Sequence, residues 1–178
     1  AAYRLMKGLV VGFGAFPVAS AGGGYTYDVK NAVGTIKKHE TSDATLAFIE
    51  LAPAIAYEIV PGLRIGAAYR YDIVTFKRNV LATDKDGKEL PKYIELDMKG
   101  ANTKGFRLGA QFSRGPLDVG LVYRNRTDTR VHADKAFVIG LPVDDVNFDF
   151  VLPSKLGLGL QYKLGESVRI AADVEYAW

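Results

Sequence analysis

The stretch Leu156-Gly157-Leu158-Gly159-Leu160-Gln161-Tyr162 alternates strictly between bulky apolar residues and small or polar ones. A period of two is typical of a β-strand with one apolar face. The same order of apolar residue, glycine, apolar residue, any residue and aromatic residue recurs at residues 65–69, 108–112 and 119–123. The alternate positions carry small or charged side chains, so the second face of these strands is predicted to border water or a ligand-lined interior.

The composition indicates a folded, β-rich domain. Of 178 residues 48% are hydrophobic and 24% are charged, with ten tyrosines and nine phenylalanines. The absence of cysteine excludes disulfides and Cys-ligated metal sites. The net charge of +3 is spread among alternating acids and bases, which gives no basic patch for nucleic acid. No apolar run approaches the ~20 residues of a membrane helix. Without an initiator Met or a signal peptide, we expect a mature chain or an excised piece.

The alternation predicts seven strands, which cover residues 8–17, 47–59, 63–78, 105–113, 117–130, 146–164 and 168–178. Tight turns are predicted after the second, fourth and sixth strands, at Val60-Pro61-Gly62, Arg114-Gly115-Pro116 and Gly165-Glu166. Long polar connections are predicted after the first, third and fifth strands, at residues 18–44, 80–103 and 132–144. In the first of these connections Tyr25, Tyr27 and Val29 alternate, which leaves an extension of the strand open as an alternative. Within the second of these, Asp86-Gly87 predicts a hairpin tip.

All tight turns therefore fall at one end of the sheet and all long connections at the other, as in bacterial outer-membrane barrels. The predicted fold is all-β: an antiparallel up-and-down transmembrane β-barrel with apolar outward faces of ~9–11 residues. Charges of alternating sign on the other face suit a lumen with cross-strand pairs. Aromatic residues at the ends of the apolar faces are predicted to form interfacial belts: Tyr57, Tyr69, Phe112, Tyr123, Tyr162, Tyr176 and Trp178.

Two alternatives stay open. A soluble antiparallel sandwich or lipocalin-like barrel that binds a small apolar ligand also alternates faces, but it turns the apolar face inward, so the same aromatics would be core. A structural outer-membrane barrel without transport has the same sequence pattern. The alternating charges and the unequal connections favour a membrane barrel over a soluble one.

Seven segments, in order, carry a likeness to a known family. They are Gly8-Leu9-Val10-Val11-Gly12-Phe13-Gly14-Ala15-Phe16-Pro17, Leu51-Ala52-Pro53-Ala54-Ile55-Ala56-Tyr57, Leu63-Arg64-Ile65-Gly66-Ala67-Ala68-Tyr69, Gly105-Phe106-Arg107-Leu108-Gly109-Ala110-Gln111-Phe112, Val119-Gly120-Leu121-Val122-Tyr123-Arg124, Leu152-Pro153-Ser154-Lys155-Leu156-Gly157-Leu158-Gly159 and Asp173-Val174-Glu175-Tyr176-Ala177-Trp178. With them the chain resembles the outer-membrane long-chain fatty-acid transporter family (FadL/TodX type), which includes the toluene and aromatic-hydrocarbon transporters. The likeness covers nearly the whole chain but only the middle portion of the family's pattern.

The resemblance implies a 14-stranded barrel plugged by an N-terminal hatch with an Asn-Pro-Ala motif. This chain has no Asn-Pro-Ala, and seven strands is an odd number for a bacterial barrel. An open half-barrel leaves two unpaired edges in lipid. We therefore expect residues 1–178 to form a single β-barrel domain or barrel fragment, with the hatch and the C-terminal strands absent.

The resemblance also implies a function in the bacterial outer membrane. Family members take up hydrophobic compounds passively, either long-chain fatty acids or aromatic hydrocarbons, through a lumenal apolar pocket and a lateral opening. The expected partners are membrane lipid and the hydrophobic ligand, or detergent molecules in its place, and no nucleic acid. The opening lies at a kinked strand that the first strand resembles, where Gly12, Gly14 and Pro17 supply a bulge and a lost ladder bond. The alternative is that these residues simply end the strand.

Apolar residues on the inward face are the candidates for the pocket: Val10, Phe16, Phe48, Val74, Phe76, Val122 and Val151. If the ligand carries a carboxylate, one of four cations is available to pair with it. The cations are Arg70, Lys77, Arg78 and Arg124. The alternative, which the alternating charges favour, is that the arginines form ion pairs with Asp72, Asp118 or Asp173.

Nothing indicates catalysis or a cofactor. His39 and His132 fall in the polar connections without a nucleophile motif beside them. Two histidines without cysteine rarely make a metal site. The chain is therefore predicted not to be an enzyme and to hold no metal.

Overall fold

The computed structural model describes residues 1–91, 93–165 and 167–178. In this part of the chain all regular secondary structure is β-strand, and the strands form one curled half-barrel sheet. The prediction of an all-β, antiparallel, up-and-down fold is confirmed. The strands are β1 (Ala2–Met6), β2 (Leu9–Lys30), β3 (Ile36–Val60), β4 (Leu63–Asp84), β5 (Ile94–Arg114), β6 (Leu117–Arg124), β7 (Thr127–Val138), β8 (Leu141–Leu152), β9 (Lys155–Leu164) and β10 (Val168–Ala177).

The strands follow the order β1-β2-β3-β4-β5-β6-β9-β10, with β7 paired to β5 and β8 paired to β7. Because β5 is antiparallel to both β6 and β7, β6 and β7 run in the same direction. β8 and β9, which are antiparallel to β7 and β6, both run in the opposite direction. All seven predicted strands are therefore present, and β1, which the sequence analysis did not predict, precedes them. Among the described residues no pairing joins β1 to β10, so the sheet is open.

The prediction of long polar connections is wrong. β2 and β3 extend as a hairpin to a turn at residues 31–35, and β4 and β5 extend to residues 85–93. β7 and β8 meet in a turn at Ile139 and Gly140. The polar arms pair with each other along their length, for example Tyr25 with Ser42. The upper part of β5 alternates, with Ile94, Leu96 and Met98 apolar, but most positions of the other arms are polar or small on both faces, so no sustained period of two revealed the strands.

The tight turns at Pro61-Gly62 and Gly115-Pro116 are confirmed, with φ of 88° at Gly62 and 57° at Gly115. We call the half of the sheet next to these turns the lower half and the opposite half the upper half. The hairpin tip is also confirmed, since the Asp86 and Lys88 N–H groups both donate to Asp84 Oδ1 at 2.9 Å. Gly165 has a φ of 69°, while Glu166 of the third predicted turn lies outside the described residues.

Two breaks, at residues 125–126 and 153–154, separate β6 from β7 and β8 from β9. They lie side by side, because the Arg126 N–H donates to Ser154 Oγ at 3.0 Å. Inward positions are even-numbered on β6 but odd-numbered on β7, beginning at Thr127, which is 2% exposed. The alternation of residues 117–130 predicts that Arg126, Asp128 and Arg130 share the inward face with Arg124. This prediction is wrong, because the facing changes at the break.

The second break has the same effect on β8. Phe150 and Leu152 pack inward, and the Phe150 ring centroid lies 5.9 Å from that of Phe48. Val151 faces the other way and is 46% exposed. The predicted inward facing of Val151 is wrong. The same alternation places Phe150 and Leu152 outward, and this is wrong too. Inward positions are odd-numbered on β9 but even-numbered on β8. The two residues of the break, 153 and 154, have no ladder pairing, and the alternation shifts by one position there.

The β7–β8 hairpin covers the concave face of the upper halves of β3, β4 and β5. The core between them consists of Phe48, Val74, Met98, Val131, Ala133 and Leu152, flanked by Val18, Leu46, Phe76, Leu96, Val146 and Phe150. At Gly100 the hairpin comes so close that a β-carbon would overlap the Arg130 carbonyl oxygen. Glycine at this position therefore permits the close approach of the hairpin to β5.

The convex face of the lower half carries large apolar side chains that remain exposed. Ile55, Ile65, Leu108, Leu121 and Leu158 are between 45% and 49% exposed. On β3 and β4 this apolar face covers residues 49–59 and 63–73, and the register places the two stretches side by side. Ten steps of ~3.3 Å make roughly 33 Å along a strand, or about 23 Å of height at a tilt of ~45°.

Candidate functional site

A layer of charged side chains crosses the concave face between the lower and upper halves. This ionic layer consists of Glu50, Arg70, Asp72, Arg107 and Arg124. Arg70 Nε donates to Glu50 Oε2 at 2.5 Å, and its Nη2 donates to the two Asp72 oxygens at 3.0 and 3.2 Å. All three side chains are at most 1% exposed. The predicted ion pair between Arg70 and Asp72 is confirmed, and protein groups occupy this guanidinium.

Gly105 on β5 allows Arg70 to lie in the layer. It is the direct cross-strand partner of Arg70. A β-carbon at Gly105 would lie 2.8 Å from both the Cβ and the carbonyl oxygen of Arg70, and 3.3 Å from Cγ2 of Thr127. The missing side chain therefore leaves the space that the buried arginine uses.

The ionic layer also holds the base of the hairpin. Arg70 Nη1 donates to the Asn125 carbonyl oxygen at 3.2 Å, and Thr127 Oγ1 donates to Asp72 Oδ2 at 3.1 Å. The Asn102 side chain, next to the layer on β5, donates to the Asp128 carbonyl oxygen at 2.7 Å. These bonds tie the break at residues 125–126 to the charged centre of the sheet.

Arg107 joins the layer to a predicted pocket residue. Its Nη2 lies 3.1 Å from Glu50 Oε1, and its Cζ lies 5.7 Å from the centroid of the Phe16 ring. This distance is in the range of a cation–π contact. Phe16 is therefore located at the edge of the ionic layer, and 36% of it remains exposed.

Arg124 differs from the other two arginines of the layer. Its Nη2 donates to the Pro153 carbonyl oxygen at 3.4 Å, while its buried Nε has no hydrogen-bond partner. In the described part of the chain no carboxylate lies within salt-bridge distance of it. Three arginines against Glu50 and Asp72 leave one positive charge in surplus. Arg124 is thus the member of the layer that retains capacity for an anionic partner.

The predicted pocket residues Phe48, Val74 and Phe76 meet above the ionic layer. Phe48 and Val74 are 4% and 0% exposed. The Phe150 ring fills the space between them, at 5.9 Å from the Phe48 ring and 5.6 Å from the Phe76 ring. The structure therefore brings these three residues together, but a side chain of the β7–β8 hairpin occupies the place of a ligand.

An open concavity of about 880 Å³ lies below the ionic layer. Alanines and glycines form much of its lining: Ala54, Ala56, Gly66, Ala68, Gly109, Gly120, Gly157 and Gly159. Val122 lies there too, where a β-carbon at Gly157 would be 3.0 Å from its Cγ1. Arg107 borders the same space, so the concavity ends at the ionic layer.

β2 continues through Pro17 to Lys30, so the interpretation that the strand ends at Pro17 is wrong. The register with β3 shifts between Pro17 and Ala19, as at a β-bulge, but it is regular at Gly12 and Gly14. Val10 is half-buried opposite Ala56, six residues along β2 from Phe16. Val10 therefore does not join Phe48 and Val74.

Two clusters above the convex apolar band have shifted pKa values. His132 Nε2 lies 2.9 Å from Asp134 Oδ1, and this hydrogen bond raises the pKa of His132 above its ordinary value. Glu40 pairs with Lys38 at 2.5 Å and accepts a hydrogen bond from the Tyr27 hydroxyl. Lys38, and then Tyr27, lower the pKa of Glu40. Both clusters satisfy their own charges.

No protein-family model, curated protein or solved structure matches this chain. Across residues 1–91, 93–165 and 167–178 there is no helix long and apolar enough to cross a membrane. In the same residues no three His, Cys, Asp or Glu side chains group so as to hold a metal ion. The function is therefore inferred from the geometry.

Two residues that define this region, Glu50 and Phe150, were not predicted as site residues. Glu50 stands between Phe48 and Ala52 on the inward face, and a lone acid in such a position signals a buried partner. The alternation of the strand assigns Phe150 to the outward face, together with Phe148 and Leu152. The Leu152-Pro153 step marks the break, but no local pattern states that the facing changes there.

Proposed function

We propose that this chain forms the wall of a bacterial outer-membrane β-barrel that takes up hydrophobic compounds passively. The location in a membrane is supported by one observation on the convex face: rows of large apolar side chains remain about half exposed there, as at Ile65 and Leu121. A soluble antiparallel sheet buries its apolar face, and exposed patches of this extent mark a contact with lipid or protein. The apolar height of about 23 Å agrees with the ~25 Å band of such barrels.

The aromatic residues support the same proposal. Tyr57, Phe112 and Tyr162 lie near the short turns and are 47%, 38% and 47% exposed. Higher on the convex face, the Tyr123 ring centroid lies 6.3 Å from that of Trp178. Two rows of outward rings around an aliphatic band are typical of the two interfacial girdles of a barrel. Further strands must complete the sheet, since lipid cannot satisfy the edges of β1 and β10.

The proposed uptake is supported by the resemblance to the FadL/TodX-type family. It is also supported by the concave face, where apolar side chains form a cluster separate from the ionic layer. A hydrophobic ligand would use the apolar residues Phe48, Val74 and Phe76, and a carboxylate on that ligand would pair with Arg124. The bulge at Pro17 is the place on β2 for a lateral opening. One observation favours the alternative of a structural barrel without transport: Phe150 fills the apolar space between Phe48 and Phe76.

Single cysteines test the membrane wall, because the chain contains none of its own. We would place them at Leu121 and Leu158 on the convex face and at Val122 and Gly159 on the concave face, then label them in liposomes with an impermeant maleimide. Val122→Cys and Gly159→Cys should react, whereas Leu121→Cys and Leu158→Cys should react only after denaturation. Protection of all four in lipid-free buffer would refute the membrane barrel and favour a soluble fold.

Displacement of a bound fluorescent probe separates uptake from a structural role. N-phenylnaphthylamine should bind saturably to the chain in detergent micelles, and either toluene or a long-chain fatty acid should displace it. Absence of saturable binding would leave a barrel without transport.

A further inference from the structure

We propose that the β7–β8 hairpin is a gate that closes an apolar pocket on β3–β5, with Phe150 occupying the pocket in the closed form. This inference rests on the proposed uptake of hydrophobic compounds and concerns its regulation. It follows from three features of the hairpin: its two faces, its attachment to the sheet, and the contacts at its base.

The two faces of the hairpin differ in character. The inward face packs Val131, Leu152 and Phe150 against the upper sheet. The other face carries exposed charged side chains beside Val151, with Arg130 Nε 3.1 Å from Asp149 Oδ1 in a pair whose side chains are 71% and 55% exposed. A ligand that enters between hairpin and sheet would therefore meet apolar surfaces on both sides, while the exterior of the hairpin stays in water.

The attachment of the hairpin to β5 is sparse. β7 pairs with β5 at Val138 and Phe137, and then the register is interrupted until Lys99 meets His132. By contrast, β7 and β8 pair with each other from Thr127 to Val138 with a single interruption. The hairpin is thus a coherent unit that is joined to the sheet by few backbone hydrogen bonds.

Both legs of the hairpin have a break at the same level, at residues 125–126 and 153–154. Such positions without ladder pairing can absorb changes of backbone angle, as hinges do. Arg70 and Asn102 donate to the carbonyl oxygens of Asn125 and Asp128, and Asp72 accepts a hydrogen bond from the Thr127 hydroxyl, all directly beside the first break. The ionic layer therefore acts as the latch that holds the gate shut.

Phe150 defines what the pocket accepts. Its ring makes edge and tilted contacts with Phe48 and Phe76, at interplanar angles of 89° and 57°. A ligand ring or an alkyl chain of similar width can take the same place when the hairpin moves away. The pocket that the sequence predicted is thus closed by the chain itself.

A disulfide between the facing residues Lys99 and His132 tests the gate, since the chain has no other cysteine. The variant Lys99→Cys/His132→Cys would be folded in detergent micelles and its association rate with N-phenylnaphthylamine measured, oxidised and reduced. Because only the open fraction binds, oxidation should slow association by about tenfold or more. The reduced form of the same protein serves as the folding control, and Arg130→Cys/Asp149→Cys, which links β7 only to β8, should show no redox effect.

Phe150→Ala gives a second measurement, with Phe148→Ala as its matched control on the same strand. Phe148 is 59% exposed and contacts Phe150 from outside the core, with ring centroids 5.3 Å apart, so its removal should leave Phe150 in the pocket. Phe150→Ala should bind the probe about tenfold more tightly, in line with the affinity of apolar cavities for benzene-sized ligands. Equal association of the oxidised and reduced forms would overturn the gate while leaving uptake intact. Failure of every form, Phe150→Ala included, to bind the probe saturably would overturn uptake and the gate together.

Discussion

Replacement of Arg70 by methionine should destabilise the fold by about 3–5 kcal/mol, the cost of breaking a buried ion pair. The side chain is 0% exposed and donates to Glu50, Asp72 and the Asn125 carbonyl oxygen. Methionine leaves Glu50 with Arg107 alone, at 3.1 Å, and leaves Asp72 with the Thr127 hydroxyl. Two buried carboxylates then lack the cation between them. A loss of about 4 kcal/mol corresponds to roughly a thousandfold change in the folding equilibrium.

Guanidinium titration of the chain in detergent micelles, followed by far-ultraviolet circular dichroism, measures this loss. Arg130→Met is the matched control, because the pair of Arg130 with Asp149 is exposed and should contribute at most about 1 kcal/mol. Adding Glu50→Gln to Arg70→Met should restore part of the stability, since it removes one uncompensated charge. The reasoning fails if Arg70→Met and Arg130→Met unfold at the same denaturant concentration.

Three further predictions concern single sites. Gly105→Ala should cost about 1–3 kcal/mol through overpacking against the buried arginine, whereas Gly120→Ala, with open space around its β-carbon, should change little in the same titration. Arg124→Gln should weaken the binding of a long-chain fatty acid by about tenfold or more, because it removes a charge-assisted hydrogen bond, and should leave toluene binding unchanged. The raised pKa of His132 means that its contribution to stability is complete below the unfolded pKa and is lost as the pH rises through the folded pKa. Asp134→Asn should lower the midpoint of the His132 titration in ring-proton NMR.

Each of these predictions has a contradicting outcome. Equal stability of the Gly105 and Gly120 variants would show that the sheet relaxes around the added methyl group. Equal loss of fatty-acid and toluene affinity in Arg124→Gln would point to a change of pocket shape rather than a lost charge. A His132 midpoint that stays the same in Asp134→Asn would assign the raised pKa to another group.

The strands of the lower half, and the face that each of them presents, follow from the local sequence. A period of two states which side of a strand is apolar, and this is a local property of residues such as Leu156 to Tyr162. The tight turns at Gly62 and Gly115 were equally local. The outward apolar band and the seven strands around it could therefore be predicted without tertiary information.

The tertiary structure decided the course of the polar arms, the facing of residues beyond the two breaks, and the burial of charge. The arms of β2–β3 and β4–β5 carry only short alternating runs, such as Ile94, Leu96 and Met98, so their pairing with each other is what establishes them as long strands. The facing of Val151 and Phe150 depends on a one-residue change at Pro153, which the alternation on either side does not encode. Glu50 and Arg70 are 20 residues apart, and Asp72 and Thr127 are 55 apart. Contacts over such separations form only when the sheet curls. The sequence pattern predicts that Arg70 faces a water-filled lumen, whereas in the folded chain it is buried in the ionic layer.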